Sequence, residues 1–315
     1  MDLPLASTSL GDEGRAKRLA AILANGAGVD LHSHSRHSDG DWQPAELIAD
    51  AKKFGLSLIS LTDHDTVAGQ AVARQAADDA GILFLNGIEI SLKIEDRLYH
   101  ILGYDFDPES EVWKRFAIAN RACRERYAID QFDQLSARGY AVSPDLARDD
   151  TGRLEPQPLA VALLRAGKAE SFDAAQRIVR SLSIQPKIEL TYQDLVDFAD
   201  LISPGDAMFS VAHPARQQAG VSVRLSEADL LTLKEALPLV ALEATHPYHS
   251  SADVAFFASL AAKNGLAVTC GSDAHGERQR RPLQHLPASL CADFLELVRL
   301  RWEARTHRPL VAMSR

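Results

Sequence analysis

The sequence is short of cysteine. It has three, Cys123, Cys270 and Cys291, far apart and with no CxxC pair. That argues against a disulfide framework or a cysteine-rich zinc site and fits a reducing compartment. It also lacks a long uncharged apolar run of the ~20 residues needed to span a bilayer. Residues 1–28 contain no basic start followed by an apolar core, because Asp12, Glu13, Arg15, Lys17 and Arg18 interrupt them. No secretory signal is read there, and a cytoplasmic location with no membrane contact is the expectation. Excess positive charge is missing too. The formal net charge is -9, which disfavours loose binding to long nucleic acids, since that affinity comes from clustered Lys and Arg. A small phosphorylated substrate stays compatible, provided positive charge is local.

No repeat or low-complexity segment stands out. The 315 residues are 46% hydrophobic and 24% charged, ordinary for a globular protein with a sizeable core. Residues 1–27 read as an N-terminal extension with a short helix over 13–24. Residues 28–105 alternate between strand-like text (29–33, 56–61, 82–85, 88–94, 98–104) and helical text (44–54, 68–80). Residues 106–202 read as a mainly helical insertion, with helices over 111–137, 159–166, 172–181 and 191–202. The alternation returns over 203–285, with strands at 208–212, 239–244 and 267–270 and helices at 226–237 and 252–264. Residues 286–315 are assigned to a C-terminal helix and tail. Strands alternating with helices predict an α/β protein with a parallel sheet or barrel of about seven strands.

The chemistry-bearing residues fall at the ends of these strands. His32 and His34 end the first, and Asp63, His64 and Asp65 end the second. Glu89 and His100 sit in the next two, His213 and His246 follow two more, and Asp273 and His275 follow the last. In a barrel of parallel strands the C-terminal ends share one face, so these residues are expected to meet. Imidazoles and carboxylates together suit divalent transition metals. Residues two apart on a strand point the same way, so His32 and His34 can reach one ion.

The stretches VDLHSHSRHSDG, SLTDHDTVAG, GIEIS, HILGY, VAHPAR, LEATHP and GSDAHG resemble, in order, the motifs of the PHP (polymerase and histidinol phosphatase) superfamily. The position of the insertion is most similar to the branch of 3',5'-nucleoside bisphosphate phosphatases and RNase AM-type 5'-to-3' exoribonucleases. The resemblance implies a distorted (β/α)7 TIM-like barrel with a helical insertion and a site of three divalent ions. Manganese is expected, with iron, zinc and magnesium as alternatives. It implies one ion on His32, His34, Glu89 and Asp273, a second on Glu89, His100 and His213, and a third on Asp39, His64 and His275. Two such ions ionise a bridging water, and the hydroxide attacks phosphorus. Asp65 or His246 then shuttles a proton or steadies the leaving oxygen, and Arg216 contacts a phosphate.

The expected substrate is a small nucleotide or short oligonucleotide, with inorganic phosphate as product. Another monoester such as histidinol phosphate is the alternative, and a non-catalytic metal-binding module is the alternative from another class.

Other residues read more plainly. Asp39-Gly40 also fits a simple turn. Asp63 and Asp65 suit the orienting of metal-bound imidazoles, and Thr62 and Thr66 are structural. His37 fits no ligand set. His249, His285 and His307 read as surface residues, and Cys270 as a small apolar strand residue. Trp42 suits either the cleft or the core. In the insertion, Phe116, Tyr127 and Phe132 read as packing. Arg121, Arg124 and Arg126 read as a solvated face sooner than as phosphate or base ligands. The branch carries a Gly-Arg-Pro-His stretch; here Gly152-Arg153 is followed by LEPQPLA, with Gln157 near the missing His.

Overall fold

The computed structural model describes residues 10–95, 97–148, 152–154, 158–184, 193–203, 205–217, 224–276 and 281–306. His307 and Gln157 lie outside them. In chain order the elements are α1 (Asp12–Asn25), β1 (Gly28–Asp30), α2 (Pro44–Lys53), β2 (Leu56–Leu61), α3 (Gln70–Ala80), β3 (Leu83–Ile94), β4 (Arg97–Tyr104) and α4 (Glu111–Ala137). They continue as α5 (Pro158–Arg165), α6 (Phe172–Ser181), β5 (Gln193–Asp194), α7 (Leu195–Leu201), β6 (Met208–Val211), α8 (Glu227–Ala236) and β7 (Leu239–Thr245). Last come α9 (Ser251–Lys263), β8 (Ala267–Cys270), β9 (Leu286–Pro287) and α10 (Ala292–Thr306).

The strands run in the order β8-β7-β6-β4-β3-β2-β1-β9, with β5 added on β3. The ring closes where the chain leaving β1 meets the chain leaving β8: the His34 amide donates to the Ala274 carbonyl at 2.8 Å, and the Ala274 amide to the His32 carbonyl at 3.3 Å. The result is the TIM-like barrel of the expected class.

Two strands depart from the all-parallel expectation, the two-residue β9, which is antiparallel to β1, and β4. β4 is antiparallel to both β3 and β6. Only two residues separate β3 from β4, far fewer than a parallel crossover requires. The same hairpin merges the two short strands expected over 82–94 into one of 12 residues. Because β4 runs backwards, its N-terminal half lies at the mouth, and that is why His100 faces Ser91 there.

Alternation sorts side chains between the two faces. Leu58 of β2, Leu83 and Leu85 of β3, Leu102 and Tyr104 of β4 and Ala241 of β7 fill the interior. Ile59 and Leu61 face α2 and α3. Ile88, Ile90 and Ile101 face a cluster that also holds Trp113 and Phe116 of α4. The N-terminal helix is no free extension, for Ala16, Leu19 and Ile22 of α1 are buried with Phe294, Val298 and Trp302 of α10 beneath the barrel. The far half of α4, with α5 and α6, has a core of its own around Phe132, Leu135, Leu159 and Leu163.

Local signals place the helix ends. Pro44 opens α2 behind a Gln43–Glu46 capping box, and α9 has one from Ser250 and Asp253.

Candidate metal centre

Glu89 is the hub of the mouth. It shares the inward parity of Leu83 and Leu85, but it lies beyond Leu61↔Asn86, the last β2–β3 pair, where the barrel wall gives way to loops. Its carboxylate is fully buried and meets five imidazoles. Oε2 is 3.1 Å from Nε2 of His32, 3.1 Å from Nε2 of His34 and 3.2 Å from Nδ1 of His64. Oε1 is 2.9 Å from Nδ1 of His100 and 2.9 Å from Nε2 of His213.

Asp273 lies beside this hub. Its Oδ1 is 3.1 Å from His34 Nε2 and 3.5 Å from His32 Nε2. Its Oδ2 is 3.5 Å from His246 Nε2 and contacts Arg281. Asp39 stands at the rim, with Oδ1 3.2 Å from His275 Nε2 and Oδ2 3.8 Å from His64 Nε2. Every sequence-derived ligand candidate therefore enters one connected cluster.

The donor atoms fall into compact groups: His32, His34, Glu89 and Asp273; His34, Asp39, His64 and His275; His64, Glu89 and His100; and His32, Glu243 and His246. His32 and His34 sit on the segment leaving β1, which ends at Asp30, and they still converge. Gly271 permits the close approach of the β8 end, since a Cβ there would stand 2.2 Å from the His32 Cβ. Asp65, His213 and Asp273 all have left-handed backbone, at φ 51, 26 and 51. Strained non-glycine positions of this kind persist where the surroundings over-determine them, commonly at functional sites.

The residues fit a bound cation. Nε2 of His32 and His34, Nδ1 of His64 and Oε2 of Glu89 are buried without a hydrogen-bond partner. Buried polar atoms are rarely left so, and lone pairs aimed at shared points suit coordination. The electrostatics agree. Burial works against ionisation of Glu89, yet His64, His32 and His100 outweigh it and hold its pKa well below the ordinary value. Burial likewise pulls His32 down, but Glu243 and then Glu89 lift it to about 10. The carboxylates around His32 thus favour positive charge at its ring, as they would a bound cation. Burial lowers His213 to about 3 and His246 to about 4, so both are neutral, which is the ligating form.

Glu243 escaped the sequence reading. It is fully buried, its Oε1 is 3.1 Å from His32 Nδ1, and its Oε2 accepts from the His213 amide at 2.7 Å. Its signal was present: a lone acid in the apolar strand LVALEAT, on the inward parity of Ala241. Asp30 was also passed over; it accepts from the Ser272 amide and hydroxyl and the Gln284 amide, tying the two ends of the barrel together.

Several secondary expectations need correction. Asp63 orients a loop, not an imidazole: it accepts from the Ser35 amide and hydroxyl at 2.7 Å each and from the Ser38 hydroxyl at 2.6 Å. Asp65 accepts from the Ser91 amide at 2.8 Å and hydroxyl at 3.0 Å and pairs with Arg124. His249 is structural, half-buried between the Ala244 carbonyl and the Ala215 amide. His285 is exposed, as expected. Trp42 packs beside the α2–α3 core and donates to Asp50 at 2.8 Å, away from the cleft. Arg126 is exposed, but Arg121, Arg124 and Tyr127 line a cavity of about 570 Å³ between α4 and the mouth. A helical period alone did not separate the cavity face from the solvent face. His64, Asp65 and His100 form that cavity's barrel side. His37, which fits no ligand group, lies near Arg153, whose guanidinium donates to the His37 carbonyl at 3.0 Å.

Arg216 lies 3.7 Å from Asp273 Oδ2, on the flank away from the cavity. His246 accepts the Tyr248 amide at Nδ1 at 3.1 Å, so a neutral ring carries its proton on Nε2, the atom facing Asp273.

Known proteins match this chain along most of its length. A model of the PHP domain matches residues 30–181. A 3',5'-nucleoside bisphosphate phosphatase from Chromobacterium violaceum is 31% identical over 90% of this chain and 99% of that protein. A phosphoribosyl 1,2-cyclic phosphate 1,2-diphosphodiesterase from Eggerthella lenta is 29% identical over 80% and 96%. A 5'-3' exoribonuclease from Haemophilus influenzae is 30% identical over 59% and 69%. Among solved structures, a metal-dependent phosphoesterase from Bifidobacterium adolescentis aligns with a TM-score of 0.73 at 26% identity, over 87% of this chain and 96% of that one. Sequence agreement and fold agreement each cover most of the chain, and both lead to one conclusion: the chain belongs to the PHP-domain family of metal-dependent phosphoesterases, hydrolases of phosphate ester bonds.

Proposed function

We propose that this chain hydrolyses phosphate esters of small nucleotides. A 3',5'-nucleoside bisphosphate, losing its 3'-phosphate, is the first substrate, and short RNA cleaved from its 5' end is the second. The observation that carries the reading is the adjacency of two features: a buried crowd of metal-suited donors, and a 570 Å³ cavity whose wall mixes guanidinium groups (Arg121, Arg124, Arg153) with apolar surface (Leu98, Ile118, Tyr127). That mixture suits an anionic group joined to a planar base. The names of the Chromobacterium and Haemophilus relatives support the same substrate class.

The proposed ligand sets are His32, His34, Glu89 and Asp273; Glu89, His100 and His213; and Asp39, His64 and His275, for three divalent ions, manganese first. When bound, the ions supply Lewis acidity that ionises a water and neutralises phosphate oxygens. The chain's own residues do the rest. Glu243 fixes the His32 ring and the His213 backbone. Arg216 is available for a phosphate oxygen. His246 presents an Nε2 proton to the leaving oxygen, and Asp65 anchors Arg124 at the cavity wall.

The test offers manganese-loaded protein 3'-phosphoadenosine 5'-phosphate, short 5'-phosphorylated RNA, a phosphoribosyl cyclic phosphate and histidinol phosphate side by side. The nucleotides are expected to give the highest kcat/KM. Turnover of a non-nucleotide ester ahead of both would overturn the substrate assignment.

A further inference from the structure

Outside the residues that line the cavity, Tyr248 is 55% exposed although it sits beside a buried site. Its ring centroid is 5.2 Å from that of His246. Two guanidinium groups flank it, with the Arg281 Cζ 5.4 Å and the Arg216 Cζ 5.8 Å from the ring centroid. Both arginines also reach Asp273 Oδ2, so the platform abuts the reacting centre directly. None of Arg216, Tyr248, His246, Asp273 or Arg281 lines the 570 Å³ cavity. The cluster therefore has two flanks of different character, and the α4 cavity occupies only one.

A half-exposed aromatic ring with guanidinium groups over it offers what a nucleobase and its phosphate require: the ring stacks on the base, and the arginines hold the backbone charge. A nucleoside bisphosphate has one base, and the α4 cavity can take it. A phosphodiester between two nucleosides has a second base, which must extend from phosphorus away from the first.

We propose that Tyr248, with Arg216 and Arg281, forms a second nucleoside subsite that receives the nucleoside keeping the phosphate when a phosphodiester is cut at the cavity nucleoside's 3'-oxygen. The inference rests on the nucleotide reading of this site and says where the second nucleoside of its short-RNA substrate sits. The reaction at the subsite balances as ordinary hydrolysis. Water's oxygen bonds to phosphorus, the bond from phosphorus to the cavity nucleoside's 3'-oxygen breaks, that oxygen takes the proton water releases, and the second nucleoside departs with the phosphate on its 5'-oxygen.

The experiment compares Tyr248→Ala and Tyr248→Phe with the wild type on two substrates, a ribodinucleotide and 3'-phosphoadenosine 5'-phosphate. Tyr248→Ala is expected to raise KM for the dinucleotide about ten-fold, the size of one lost base–aromatic stack, and to shift the bisphosphate's KM much less. Tyr248→Phe keeps the ring and restores the dinucleotide KM. Equal changes on both substrates, or none on the dinucleotide, overturn the subsite. Affinity of the metal-loaded protein for a non-hydrolysable dinucleoside phosphonate, against a mononucleotide, gives the same comparison without turnover. If neither nucleotide is turned over but the phosphonate still loses affinity in Tyr248→Ala, the subsite stands and the activity reading falls.

Discussion

The barrel carries buried charge at both ends, and the two ends treat it differently. At the floor, Asp105 is 4% exposed and wholly answered by its neighbours: Oδ1 accepts from Trp302 Nε1 at 2.7 Å, and Oδ2 from Arg301 at 2.8 Å and Arg305 at 2.7 Å. Beneath it Arg15 lies over the Trp302 ring at 4.0 Å. At the mouth, Glu89 and the histidines around it leave donor and acceptor atoms buried with no partner. The difference teaches how to tell a structural charge from a functional one. Satisfied groups stabilise the fold, whereas unsatisfied ones are held against their own desolvation cost by the rest of the molecule.

The comparison can be broken by exchanging the two outcomes. Glu89→Gln is expected to lower kcat/KM by at least about a thousand-fold, because the cation sites lose their shared carboxylate. Calorimetry should find little loss of stability. Full activity and full metal content in the Glu89→Gln enzyme would sink the ligand assignment.

A pH series on metal-free protein comes next. His32 is raised from 6.5 to about 10, so its stabilising pairing is complete below pH 6.5 and is lost as pH climbs through 10. The melting temperature of the metal-free protein should fall between pH 7 and pH 10. That of the manganese-loaded protein should fall less, since the ion has replaced the proton. Parallel curves would argue against a cation at His32.

Asp105→Ala should do the reverse of Glu89→Gln. We expect a loss of about 2–3 kcal/mol of stability, with the arginine share discounted because both guanidiniums are partly exposed. The folded fraction should keep its kcat. Glu243→Gln belongs between the extremes: it orients a proposed ligand without being one of the proposed set, and about a ten-fold loss of metal affinity is expected, read by titration.

Much of this contrast was legible in the sequence, and the reason is strand geometry. A period of two carries Leu83, Leu85 and Glu89 to the same side, and the barrel gathers the residues just past its strand ends on one face, so the convergence of the strand-end candidates was legible from spacing, whereas Asp39 and the division into three ligand sets came from the resemblance to the PHP motifs. The sequence hid partnerships across distance. Glu243 binds His32 from 211 positions away and reads locally as a single acid in a strand. Asp63 was expected on an imidazole and went to Ser35 and Ser38, because nothing local says which neighbouring loop folds over a strand end. The antiparallel β4 was implicit in the two-residue gap before it.

The helix α4 has a mechanical consequence. Its 27 residues, about 40 Å of continuous helix, contain neither glycine nor proline. Trp113 and Phe116 root one end among the β3 side chains, and Phe132 and Leu135 root the other among α5 residues. It is a girder without a joint, so the wall it gives the cavity holds its shape in the resting protein. A chamber built this way admits molecules by prior fit, and its tastes would change through new side chains along the girder's inner edge more readily than through any change of swing.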